Sequence, residues 1–181
     1  MAGLAWRLGR AEDIDQIASV VNQAYRGQEG WTNESRILSG LRVNEAFLKD
    51  FFSSTAPADK AILVFFTEED KDRIVGTVCL EKESRSASLG MFSVLPSLQN
   101  KGYGRRILEA AEEFVRKTWL EVDQMEMGVI TQRKELIEWY ERRGYRCTGK
   151  IIPFPYDNPE VGKPLIEDMT LTILEKPLSS A

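Results

Sequence analysis

The chain has 181 residues, of which 43% are hydrophobic and 29% charged, with a net charge of −4 and a pI near 5.1. That length suits one domain, residues 1–181, with a sizeable core. The acidic balance argues against general nucleic-acid affinity and leaves a basic small-molecule acceptor open. Histidine is missing altogether, which excludes a Ser-His-Asp triad, a His-paired cysteine nucleophile and His-containing zinc sites. Proton transfer is left to carboxylates, Tyr, Lys, Cys or water. No apolar run reaches the ~20 residues of a membrane span, and Met1 to Asp13 holds no apolar leader behind a basic one. Two cysteines, Cys79 and Cys147, make no disulfide framework. A cytoplasmic protein with no bound metal is the expectation.

Leu4 to Leu8 reads as a first strand. Ile14, Ile17, Val20, Val21 and Tyr25 mark the apolar stripe of a helix, with Glu12, Asp13 and Asp15 suited to its positive N-terminal end and Gly27 and Gly30 bounding the other. Gln28 to Asn44 is poorly periodic, and the sequence allows a short helix over Glu34 to Leu41. Ala46 to Phe52 is helical in pattern. Ala61 to Phe66, Ile74 to Glu81 and Leu89 to Val94 read as three strands, the last two joined by a hairpin around Glu83 to Ser86. An amphipathic helix comes next, with Ile107, Leu108, Ala111, Phe114 and Val115 on one face. Val122 to Ile130 is a strand, Glu135 to Arg143 a helix ended by Gly144, and Tyr145 to Ile151 and Met169 to Leu174 are the last strands. A loop containing Pro153, Pro155, Pro159 and Pro164 separates those two. The expected order is β-α-α-β-β-β-α-β-α-β-β, a mixed α/β (α+β) arrangement with helices on both faces of one sheet.

The informative stretch is Ser88 to Lys117. An apolar strand stops at Pro96, a polar turn carries Gln99, Asn100 and Lys101, and Gly102-Tyr103-Gly104 leads into the helix. Such a turn gathers free backbone N–H groups at a positive dipole end and suits an anion, phosphate above all. Lys101, Arg105 and Arg106 add positive side chains. The P-loop pattern and the dinucleotide fingerprint are both absent. What remains is Q-x-x-G-x-G after Phe92-Ser93-Val94-x-Pro96, which resembles the acetyl-coenzyme A loop of the GNAT N-acetyltransferase superfamily. The element order is similar to the GNAT fold along nearly the whole chain. A second stretch, Leu136 to Tyr145, resembles the family's helix-and-return motif, with Tyr140, Gly144 and Tyr145 at its marked positions. More narrowly, the chain resembles members with a Y-R-G…W-T-x-E segment and a P-F-P-Y loop, here Tyr25 to Gly27, Trp31 to Glu34 and Pro153 to Tyr156.

The resemblance implies an acetyl-CoA-dependent N-acetyltransferase, working by direct attack of a primary amine, with acetyl-coenzyme A and the amine as its partners and a monomer or homodimer as its assembly. It implies that Phe92, Ser93 and Val94 line the cofactor's arm, that a backbone donor near Val94 stabilises the oxyanion, and that Gln99, Asn100, Lys101, Gly102, Tyr103, Gly104 and Arg105 hold the pyrophosphate. Tyr140 would protonate the leaving thiolate; on its own pattern it reads as a core aromatic. Trp31, Glu34 and Tyr156 are the expected acceptor residues, with Glu34 holding a cationic acceptor; pinning of two loops to the core is the alternative for the aromatics. The base stays open among Glu81, Glu83, Glu126 and Asp168. Two positions depart from the family: Arg133 stands where many members have Asn, and Ser88 about where some protein-acetylating members have Glu. A small-molecule acceptor is preferred over a protein lysine or N-terminus, and over a non-catalytic acyl-coenzyme A-binding module.

Overall fold

The structure, a computed structural model, describes residues 3–53, 58–158 and 162–178. In chain order these are β1 (Leu4–Leu8), α1 (Ile14–Arg26), β2 (Leu38–Ser39), α2 (Glu45–Ser53), β3 (Lys60–Thr67), β4 (Gly76–Glu83), β5 (Ser86–Val94), α3 (Tyr103–Thr118), β6 (Gln124–Ile130), α4 (Lys134–Glu141), β7 (Arg146–Pro153), β8 (Lys163–Pro164) and β9 (Thr170–Pro177). The expected order holds, with two short strands added. The short helix over 34–41 does not form. Leu38–Ser39 instead pairs antiparallel with Lys163–Pro164, two loop segments satisfying each other where neither had a helical period. Pro159 of the proline-rich loop lies outside the described residues.

The unbroken apolar run of β3 shows why the sheet is covered twice. Alternate side chains of a strand face opposite ways. Ala61, Leu63 and Phe65 enter one core with Ile107, Leu108, Ala111 and Val115 of α3, while Ile62, Val64 and Phe66 enter another with Ile17, Val20 and Val21 of α1 and Leu48 of α2. Cys79 belongs to the second core, and burial pushes its thiol up to about 12. Fully burying each of these large side chains contributes roughly 1.5–3 kcal/mol.

Seven strands form one sheet in the order β1-β3-β4-β5-β6-β9-β7. Every pairing is antiparallel except β5 with β6. That parallel pairing covers only Ser86↔Gln124, Ala87↔Met125 and Ser88↔Glu126. Beyond it the two strands splay, and the sheet has a split at its middle.

Candidate active site

A bulge opens the split. Between Thr77 and Cys79 of β4, strand β5 spends one residue more, running from Ser93 to Gly90. Met91 takes a φ of +44° there, a conformation that non-glycine residues adopt only when their surroundings enforce it. The Met91 carbonyl accepts the hydroxyls of Thr77 (2.8 Å) and Ser93 (3.2 Å). A bulge bends its strand and re-aims the residues beyond it, and here it turns the end of β5 away from β6. The Leu95 N–H is bonded to the Val75 carbonyl (2.9 Å). By the alternation of an antiparallel ladder, the Val94 N–H one residue earlier faces the other way, toward the split.

The turn after β5 is built around the first residues of α3. Gly102, the N-cap, has a φ of +80°, and no side chain caps the helix. A side chain at Gly102 would meet no atom within 4 Å, so this approach to the helix end is sterically open, whereas a Cβ on Gly104 would stand 3.3 Å from the Trp139 ring. The first-turn N–H groups therefore lie uncovered at the positive end of a sixteen-residue helix. Arg105 and Arg143 stand at the same cleft. The Arg143 guanidinium lies 3.4 Å from the Trp139 ring centroid and donates to the Trp139 carbonyl (2.6 Å). Burial holds its basicity below the usual guanidinium value, and the neighbouring Arg142 and Arg105 push the same way. Open amides, a dipole end and a cationic rim fit a pyrophosphate.

Gln99 has a different place from a simple ligand. Its side-chain oxygen accepts the Trp31 N–H (2.6 Å) and its side-chain amide donates to the Val94 carbonyl (3.1 Å). It latches the loop after α1 to the end of β5. Around it lies a cleft of about 310 Å³ whose wall includes Phe92, Val94, Asn100, Gly102, Gly104 and Tyr140. Trp31, 42% exposed, is also in this wall. Ser93, Lys101 and Tyr103 do not line it: Ser93 is buried on the bulge, Lys101 is exposed, and Tyr103 is packed in the α3 core.

A second cavity of about 180 Å³ runs along the split between Leu89–Phe92 and Met127–Ile130, with Leu38, Phe154 and Pro155 also in its wall. Tyr25, Phe92, Arg133, Leu136 and Tyr140 line both cavities. Tyr140 is thus at the junction, 4% exposed, in edge contact with the rings of Trp139 (5.1 Å) and Tyr145 (5.7 Å). Burial pushes its phenol above the ordinary tyrosine range, and Tyr25 adds to the shift while Arg133 and Arg143 oppose it. Tyr25 is raised likewise, first by burial; Arg42 opposes, and the Phe92 backbone N–H, bonded at its oxygen, opposes too.

Three expectations need correction. Glu34 is buried and already taken by two guanidiniums, Arg26 and Arg133, the latter at 2.7 Å; it is not a carboxylate waiting for a cation. Tyr156 lies outside both cavities. Its hydroxyl accepts the Met169 N–H (2.7 Å) and its ring meets Phe154 (5.6 Å), so it pins its own loop. Of the four carboxylates held open as bases, Glu81, Glu83, Glu126 and Asp168, none lines either cavity. Glu81, Glu83 and Glu126 sit on the paired part of the sheet, opposite Ser88, Ser86 and Ser88 of β5.

The residues that pattern reading passes over are Arg26, Arg42 and the role of Arg133. Tyr25-Arg26 ends an apolar stripe with a charge that reads as solvated by position, and only the fold shows Arg26 reaching Glu34. Arg133 stands out in sequence as a departure at a family position. In the structure its guanidinium turns to Glu34 and to the Thr32 hydroxyl (3.2 Å).

Residues 60–147, from β3 to the start of β7, match the family model described as acetyltransferase (GNAT) domain. The chain is 29% identical over 92 residues to S-(2-succino)cysteine N-acetyltransferase of Bacillus subtilis, covering 47% of this chain and 56% of that protein. The chain thus aligns with a little over half the length of this curated relative. Among solved structures, one from Salmonella typhimurium, described as an acetyltransferase with its cofactor acetyl-CoA, shares the fold at a TM-score of 0.69 and 17% identity, over 99% of this chain and 96% of that one. A variant of spermidine N-acetyltransferase from Vibrio cholerae does so at a TM-score of 0.69 and 15% identity, over 97% and 94%. Residues 60–147 are thus similar to a GNAT domain, and the chain shares its fold with these acetyltransferases.

Proposed function

We propose that the protein is a cytoplasmic N-acetyltransferase that moves an acetyl group from acetyl-coenzyme A to the primary amine of a small molecule, by direct attack in a ternary complex. One observation carries this: two cavities, one ending at an uncapped helix start and one walled by side chains, meet at Tyr140 inside the split of the sheet.

Acetyl-coenzyme A, when bound, supplies the thioester that the amine attacks. The amides of Gly102 to Arg105 hold its pyrophosphate, with the α3 dipole and the Arg105 and Arg143 side chains in support. The Val94 N–H faces the split and takes the oxyanion charge, a role worth about 3 kcal/mol in other enzymes. The Phe92 N–H is turned to Tyr25 and is not a second donor. Tyr140 stays protonated because it is buried, and gives its proton to the leaving thiolate. Among the described residues, the only carboxylate in either wall is Glu34, held by two arginines, so the amine's proton leaves through water. Positive neighbours ease that loss by disfavouring the ammonium form.

The small volume of the second cavity, about 180 Å³, supports a small acceptor over a protein side chain. The acceptors named for the Bacillus subtilis and Vibrio cholerae proteins are small amines as well. The test is thermal melting with acetyl-coenzyme A, and then thiol release across a panel of amines and peptides. The expected result is a raised melting temperature and release with a small amine. No shift at millimolar acetyl-coenzyme A overturns the reading, and release with peptides alone replaces the small acceptor by a protein.

A further inference from the structure

The acceptor cavity has an excess of positive charge. Arg42 and Arg133 stand in its wall, and Glu34 is the sole carboxylate there among the described residues. Glu34 is already matched twice, by Arg133 and, from behind, by Arg26. Three guanidiniums therefore face one carboxylate. Arg42 has no ion pair among the described residues; its guanidinium lies 5.4 Å from the centroid of the Tyr25 ring, itself a wall residue. Arg133 spends Nη1 on Glu34 and Nη2 on Thr32, and its Nε is buried without a hydrogen-bond partner among the described residues. Buried donors without partners are rare in folded proteins. The rest of the wall is mostly apolar, with Leu89, Met127, Ile130 and Phe154 among it.

We infer that the acceptor carries a carboxylate as well as its amine: an amino-acid-like molecule whose acid group lies against Arg42 and Arg133 and whose apolar body lies along the split. This rests on the acetyltransferase reading above and deepens it. The volume, about 180 Å³, is below the ~300 Å³ at which drug-sized pockets begin, and suits a molecule of amino-acid size. A polycationic acceptor finds no free counter-charge in this wall. The planar guanidinium fork matches a carboxylate in two-point contact, which an isolated amine cannot return.

The experiment compares apolar α-amino acids with their decarboxylated amines, leucine against isopentylamine and phenylalanine against phenethylamine, with putrescine as a dication, by thiol release from acetyl-coenzyme A. The acids should have kcat/KM at least about tenfold above their decarboxylated partners, the loss expected when a charge-assisted hydrogen bond is missing. Arg42→Glu should reverse that order in favour of putrescine; a merely structural role for Arg42 would lower both alike. Arg42→Gln, uncharged and at a half-exposed position, should flatten the preference if the reversal variant folds poorly. As a binding arm, leucine and its amine-free analogue 4-methylpentanoate should each add to the melting temperature in the presence of coenzyme A. Thiol release that is equal or better with the decarboxylated amines overturns this inference and leaves the acetyltransferase intact. No turnover with any acid, together with no added protection by either carboxylate, overturns it as well. A protein that acetyl-coenzyme A itself fails to stabilise loses both readings.

Discussion

The two ends of the cleft are made in opposite ways. The loop end is contiguous: Gln99 to Arg105 is seven consecutive residues, and its donors are backbone amides at one helix start. The acceptor end is assembled from α1, the loop after it, β5, β6, α4 and the loop after β7, and its polar groups are side chains. Backbone donors are the same whatever the residue, so the first end tolerates change that keeps the glycines. Side-chain donors are specific, and the Arg26-Glu34-Arg133 triad cannot lose a member without stranding the others. An anion common to every turnover suits the first construction, and an acceptor that differs between relatives suits the second.

The sharpest break of that contrast is at Glu34. Its loss in Glu34→Ala leaves Arg26 and Arg133 buried beside each other, and breaking a buried pair from one side costs about 3–5 kcal/mol. At roughly 2–4 °C per kcal/mol for a chain of this size, the melting temperature should drop by about 6–20 °C, measured without ligand. A melt unchanged within a degree would mean the triad is not a structural unit.

The loop end should fail without unfolding. Gly102→Glu places a carboxylate at the open helix start and a side chain at φ +80°, where an ordinary residue costs about 1–2 kcal/mol. The protection by acetyl-coenzyme A, about 4 kcal/mol at a thousandfold its dissociation constant, should vanish. Gly102→Ala carries the same backbone strain with no charge and should retain part of it. Equal loss in both variants would assign the effect to strain alone.

At the junction, Tyr140→Phe should lower kcat by about a hundredfold, the smaller end of what a general acid supplies, while the affinity for acetyl-coenzyme A is nearly kept. The sign of the pH dependence comes from the raised phenol. A group with a raised pKa holds its proton to higher pH, so Tyr140 remains a donor through the whole range below the ordinary phenol value of about 10. A wild-type alkaline limb near pH 8–9 that disappears in Tyr140→Phe would contradict burial as the cause.

Smaller effects separate the two loop aromatics, Trp31 and Tyr156. Trp31 lines the cleft with the loop, so Trp31→Ala should raise the KM for acetyl-coenzyme A a few-fold, in keeping with ~1 kcal/mol for a half-exposed ring, and move the acceptor's KM less. Tyr156→Phe removes the acceptor of the Met169 N–H (2.7 Å) and the donor to the Ile166 carbonyl (3.4 Å). About 1 kcal/mol of stability should go with it, visible in melting, with turnover unchanged; altered acceptor kinetics would bring Tyr156 back into the site.

The sheet, its two covered faces and the glycine turn before α3 are legible in the sequence. Those depend on short-range facts: the alternation in Ala61 to Phe66, the helical stripe from Ile107 to Val115, and glycines at 102 and 104 where a strand turns into a helix. Each is a constraint between residues a few positions apart, and a linear pattern records it. The second cavity becomes visible only in the fold. Glu34 reads as a free carboxylate because its partners stand eight and ninety-nine residues away, and nothing in the local pattern of Arg26 or Arg133 says that they converge. Tyr156 reads as a pocket aromatic until the fold ties its hydroxyl to Met169. The sign of the charge in the second cavity is a sum over side chains brought together by the split between β5 and β6, and it exists only once the sheet has opened there.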